Sequence, residues 1–102
     1  MFDECMPRPF RENLSDCEIS TTQEMGWAHF KNGALLAKAE GLFEVFLTAD
    51  QQLKYQQNLK GRKLAIVVLP TNRLPLLHKN AEKINYAILQ ARPGDYVEMQ
   101  FD

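Results

Sequence analysis

The most constraining feature of this sequence is an uninterrupted apolar run at residues 64–69, which reads LAIVVL and is followed by Pro70. A strand with one face in water alternates apolar and polar residues, whereas a strand covered on both faces of a sheet does not. The run is also far shorter than the roughly 18 apolar residues that a membrane helix needs. It therefore predicts an inner strand of a mainly parallel sheet with helices on both faces.

Four more segments have the composition or the alternation of strands. They lie at residues 1–4, 16–21, 42–47 and 95–101. Proline positions and helical spacing predict helices that follow Pro7, cover residues 32–40 and cover residues 74–91, with a short irregular helix in the polar segment 51–62. Strands alternate with helices without a linker or a repeat. We therefore predict one domain over residues 1–102, a three-layer α/β/α fold with a mainly parallel sheet of about five strands.

Two aspartates close strands that this topology places side by side. Asp3 ends the first strand and Asp50 follows the strand at 42–47. In the common 2-1-3-4-5 order these two strands are neighbours, and ligands bind beyond their carboxyl ends. Converging carboxylates repel each other unless a cation neutralises them, and oxygen ligands suit Mg²⁺ or Mn²⁺. The prediction is a Mg²⁺ or Mn²⁺ site held by Asp3 and Asp50, and the alternative is that each aspartate only caps a turn.

A metal at this edge of the sheet would suit phosphodiester cleavage, because it activates water and neutralises phosphate charge. The predicted catalytic residues are then Asp3, Glu4 and Asp50. Glu4 is the weakest of the three because strand alternation directs it away from Asp3. It would act as a third ligand or as a base.

Four polar residues of nearby loops are predicted to bind substrate phosphate. They are Gln56, Asn58, Asn72 and Arg73. The first two belong to the loop after the third predicted strand, and the other two follow the fourth. The alternative for each of them is an ordinary solvated loop side chain.

Other features bear on nucleic-acid binding. Residues 51–81 carry six basic residues and no acid, which predicts one cationic surface or, alternatively, basic side chains that point in several directions. Trp27 and Phe30 are predicted to pack in the core, and base stacking is the alternative. No glycine-rich phosphate loop is present in the sequence, so nucleotide hydrolysis by that route is unsupported.

The cysteines and the N-terminus favour a cytoplasmic protein. Cys5 and Cys17 lack the spacing of metal ligands, and we expect free thiols in a reducing compartment. The first residues, MFDECMPRPF, carry acids where a signal peptide has Lys or Arg. With no apolar run long enough to cross a bilayer, we expect no membrane association.

Four stretches together resemble a small bacterial PIN-like family that is known as a domain of unknown function. They read FDECMP, QEMGWAHFKNGALL, VFLTADQQLKYQQNLKGRKLAIVVLPTNRLP and RPGDYVEMQF, and they cover almost the whole chain. The segment TADQQLKYQQNL is the most specific of them. The resemblance implies the PIN-like α/β fold, which is shared with metal-dependent ribonucleases that act as toxins of toxin–antitoxin pairs.

The resemblance implies that Asp3 and Asp50 correspond to the first and a later acid of the PIN site. In the helix that begins KNGALL, Ala34 stands where the family commonly has an acid, and Asn32 could supply a neutral oxygen instead. Two functions remain open on this basis. One is a metal-dependent ribonuclease with RNA as substrate, a small antitoxin protein as partner and a homodimeric state. The other is a degenerate module that binds a protein or nucleic acid without cleavage.

Overall fold

The apolar run at 64–69 forms the central strand of a parallel sheet in this computed structural model, which describes residues 1–3, 5–14, 19–27, 30, 32–51 and 63–101. Strand β1 is Val45–Thr48, β2 is Ala65–Val68 and β3 is Tyr96–Glu98. The strand order is β1-β2-β3, and both pairs are parallel, with Val45 opposite Ala65 and Ile66 opposite Tyr96. Every residue of β2 is buried, as the absence of alternation predicted.

The chain near Phe2 extends this sheet beyond β1. Phe2 forms single parallel bridges to Leu47 and to Thr21. The Asp3 amide donates to the Leu47 carbonyl at 3.0 Å, and the Leu47 amide donates to the Met1 carbonyl at 2.8 Å. The prediction that the first segment lies beside the strand now named β1 is therefore confirmed. The described residues contain three strands, so the count of five and the PIN-like layering stay predictions.

In the part of the chain that the structure describes, four helical segments connect these elements. A 3₁₀ helix covers Arg8–Asn13, α1 covers Asn32–Glu40, α2 covers Leu74–Lys79 and α3 covers Ala81–Gln90. Among the described residues, no helix has the length and apolar character needed to cross a bilayer.

The single helix predicted over residues 74–91 is wrong, because the chain leaves helical geometry at Asn80 (φ −108°, ψ 16°). The buried Asn80 side chain donates through Nδ2 to the Leu76 carbonyl at 2.9 Å. Asparagine disfavours a helix interior because its side chain competes with the backbone for such bonds. The strand predicted at 42–47 likewise begins later, at Val45, because residues 41 and 42 form the turn after α1.

Among the described residues, the strands bury two apolar clusters, and successive residues of β2 alternate between them, as the strand period of two requires. One cluster, on the α1 side, comprises Met1, Leu35, Leu36, Ala39, Phe46, Leu64, Ile66 and Val68. The other, on the α3 side, comprises Phe2, Met6, Phe10, Leu14, Leu47, Val67, Leu69, Leu77 and Ile84. Packing on both faces of the sheet fixes the positions of the strands relative to one another. The candidate functional site lies at their carboxyl ends.

Candidate functional site

A cavity of about 520 Å³ lies beyond the carboxyl ends of β1, β2 and the segment at Phe2. Asp3 and Asp50 both line it, and so does Asn72 from the loop after β2. Parallel strands end at the same edge of a sheet, so residues that follow different strands converge there. The structure thus brings together three of the residues that the sequence singled out.

The hydroxyl of Thr48 connects the two aspartates. It donates to Asp3 Oδ2 at 2.8 Å and accepts from the Asp50 backbone amide at 3.1 Å. Thr48 is fully buried and Asp3 is only 8% exposed. A bond to a carboxylate under such burial is strong, because little water competes for either partner. Thr48 therefore holds the Asp3 carboxylate in one orientation.

Cys5 is half-buried beside this bond and has no disulfide. Its Sγ lies 3.8 Å from Asp3 Oδ2 and 3.6 Å from Thr48 Oγ1, and it accepts from the Ala49 amide at 3.5 Å. Burial is the main cause that raises the pKa of this thiol, and the charges of Asp3 and Asp50 raise it further, against the lowering effect of the Ala49 and Thr48 hydrogen bonds. A neutral thiol is the form that this environment favours.

This environment predicts slow alkylation of Cys5. In a Cys17→Ser background, Cys5 is the one remaining thiol. Its rate of reaction with iodoacetamide should reach half its maximum at a pH above 9.0, which is the ordinary pKa of the thiol. Because the folded pKa exceeds the unfolded value, the thiol stabilises the fold fully below pH 9.0, and this contribution is lost as the pH rises above it. The urea-unfolded chain is the control and should titrate near 9.0. If the folded protein reached its half-maximal rate at or below the pH found for the unfolded chain, burial of Cys5 would be contradicted.

Amide side chains form hydrogen bonds between the loops at this edge of the sheet. Asn72 donates through Nδ2 to the Cys5 carbonyl at 3.0 Å, and Gln51 donates through Nε2 to the Leu69 carbonyl at 2.5 Å. One Asn72 hydrogen is therefore used within the protein rather than toward a ligand. These bonds join the loops after Phe2, β1 and β2 into one frame around the cavity.

The remaining predicted residues are placed differently. Arg73 is exposed at the N-terminus of α2 and is not among the described residues that line the cavity. Glu4, Gln56 and Asn58 lie outside the described residues, so their predicted roles stay predictions. Ala34 of α1 is exposed and is likewise not among the described lining residues.

Sequence reasoning missed Thr48 and Cys5. It predicted core packing for Trp27 and Phe30, and both pack against the α1-side cluster, although they also line the cavity. Trp27, Phe30 and Cys5 line the cavity, and Thr48 lies directly behind Asp3. Period-two alternation was the available signal for Thr48, because it puts this residue on the same strand face as Asp50. No local pattern places Trp27 near the aspartates, since it is more than twenty residues from either one.

The oxygen donors at the cavity determine which cation would suit it. Two carboxylates, hydroxyls and an amide oxygen are hard ligands, and Mg²⁺ is commonly held by one or two carboxylates with water and phosphate completing its shell. Within the described residues, no group of three or more His, Cys, Asp or Glu side chains is arranged to hold a metal. The donor set fits a hydrated hard cation rather than a closed structural site.

Comparison of the chain with protein-family models, with curated proteins and with solved structures finds no match.

Proposed function

We propose that this protein is a metal-dependent ribonuclease with the three-layer PIN-like arrangement and about five strands. The observation that supports this most is that Asp3 and Asp50 line one cavity and are connected through a single buried hydroxyl. An acidic pair at the carboxyl edge of a parallel sheet is suited to a cation that binds phosphate. The cytoplasmic location, the toxin role, the antitoxin partner and the homodimer rest on the sequence alone and stay predictions.

The side chains of this cavity would share the work of holding metal and substrate. Bound Mg²⁺ or Mn²⁺ would supply Lewis acidity and lower the pKa of water near the phosphate. Asp3 is suited to a ligand role because the Thr48 hydroxyl orients it, and such second partners tune metal affinity strongly. Asp50 would provide the other carboxylate, while Asn72 keeps the loop after β2 attached to the loop of Cys5.

Calorimetric titration with Mn²⁺ tests this proposal. The wild type should bind Mn²⁺, and Asp50→Asn should weaken binding by about tenfold or more, because it removes one of two carboxylates. Glu82→Gln is the matched control, since it removes an exposed acid of α3 that is not among the described residues lining the cavity, and it should bind as the wild type does. Single-stranded RNA should then be cleaved with Mn²⁺ by the wild type and by the control variant.

Two outcomes would reject the nuclease. One is no Mn²⁺ binding at millimolar metal, and the other is equal affinity in the wild type and Asp50→Asn. The second candidate function, a module that binds a protein or nucleic acid without cleavage, draws support from Ala34, which stands where the resembled family commonly has an acid. RNA binding with no cleavage at saturating Mn²⁺ would establish that alternative.

A further inference from the structure

The cavity that holds the aspartates also has an aromatic side, which we define as Trp27 and Phe30 and call the aromatic wall. Both rings line the cavity, and both also contact the α1-side cluster while remaining only partly buried. The two rings therefore divide their surface between the core and an open cavity.

The wall is held in place by local hydrogen bonds and ring packing. The Trp27 amide donates to the Thr22 carbonyl at 2.8 Å, at the end of a turn in which Gly26 has a positive φ of 74°. The Phe30 amide donates to the Trp27 carbonyl at 3.0 Å. The Trp27 ring meets Phe43 edge to face, with centroids 6.2 Å apart. A ring that is already fixed loses little conformational freedom when a ligand stacks on it.

A lysine side chain lies over one ring of the aromatic wall. Lys38 Nζ, from the last turn of α1, lies 4.7 Å from the centre of the Phe30 ring. Lys38 is not among the described residues that line the cavity, so its charge reaches the site only through the Phe30 ring. The cavity itself combines the aromatic wall with the two carboxylates, which could share a metal ion. A nucleotide has the matching chemistry, because its base is a planar π surface and its phosphate is an anion.

We propose that the aromatic wall stacks one unpaired base of single-stranded RNA beside the phosphate bound at Asp3 and Asp50. This inference rests on the proposed function, since it takes the cavity as an RNA site. Bases inside a duplex are stacked on their neighbours and cannot reach the wall. The wall thus selects single-stranded over double-stranded RNA, with weak preference among bases, because every base has a π face.

Trp27 is the only tryptophan in the chain, so its fluorescence reports this contact directly. A short unstructured oligoribonucleotide, titrated with Ca²⁺ as the divalent cation and checked for integrity on a gel, should quench the emission saturably. The same strand in a perfect duplex should bind more weakly and leave the emission unchanged. In the wild type, this measurement needs no substitution and no catalysis.

Substitutions provide the second readout, by anisotropy of labelled RNA. Trp27→Ala should weaken RNA binding by about tenfold, Trp27→Phe should restore most of it, and both should bind Mn²⁺ as the wild type does. Tyr86→Ala removes an aromatic side chain of α3 that is 67% exposed and does not line this cavity, and it should leave RNA affinity unchanged.

The outcomes separate this proposal from the nuclease proposal. RNA cleavage without quenching, or equal RNA affinity of Trp27→Ala and the wild type, would overturn the stacking proposal while leaving the nuclease intact. Saturable quenching, together with weaker RNA binding by Trp27→Ala, would support stacking even if no RNA is cleaved. In that case only the nuclease proposal would be rejected.

Discussion

Phe10→Ala is expected to lower the free energy of unfolding by about 3–5 kcal/mol, a large part of the stability of a domain of this size. Phe10 is fully buried in the α3-side cluster. Its ring stacks on Phe2 with centroids 6.4 Å apart and meets His78 edge to face at 6.0 Å. The substitution removes contacts that join the 3₁₀ helix to both the sheet and α2. Urea unfolding followed by circular dichroism measures the loss.

Tyr86→Ala is the matched aromatic control for this experiment. Its side chain is 67% exposed, and its removal should change the free energy of unfolding by about 0.5 kcal/mol or less. Equal losses in Phe10→Ala and Tyr86→Ala would mean that the 3₁₀ helix does not pack on the sheet as described. The dependence of the unfolding free energy on urea concentration should be the same in the wild type and both variants. Differences in the urea midpoint then report differences in stability.

Thr48→Val should cost about 1.5–3 kcal/mol of unfolding free energy, even though valine nearly matches threonine in shape. The variant leaves Asp3 Oδ2 without its 2.8 Å donor and the Asp50 amide without its acceptor. The lost bond involves a carboxylate that is almost buried, which places it among the stronger hydrogen bonds. Under the proposed function, Mn²⁺ affinity should also fall by about ten- to a hundredfold, because Asp3 loses its orienting partner.

Thr22→Val separates this effect from the general cost of removing a buried hydroxyl. Thr22 is as buried as Thr48, but its hydroxyl donates to the neutral Gln23 side chain at 3.3 Å. Its substitution should cost about 0.5–1.5 kcal/mol. If Thr48→Val proved no more costly than Thr22→Val, the bond to Asp3 would have no special strength and the positioning role of Thr48 would be rejected.

Much of the sheet could be predicted because its signals are local. The run at 64–69 predicted a strand buried on both faces, and α1 has the bounds that helical spacing indicated. The break at Asn80 could not be obtained in the same way, because apolar spacing continues through it. One buried side-chain amide, bonded to the Leu76 carbonyl, outweighs that periodicity.

The sequence by itself determined where strands form and that Asp3 and Asp50 follow two of them, because apolar runs and alternation act between near neighbours along the chain. The pairing that makes those strand ends adjacent joins Phe2 to Leu47, 45 positions apart along the chain, and belongs to the tertiary structure. Only the tertiary structure decided which side chains meet at those ends. Thr48 touches Asp3 across 45 positions, and the cavity that holds the aspartates is shared with Trp27 from a separate turn. Such contacts depend on how the two faces of the sheet are covered, and no local pattern encodes that packing.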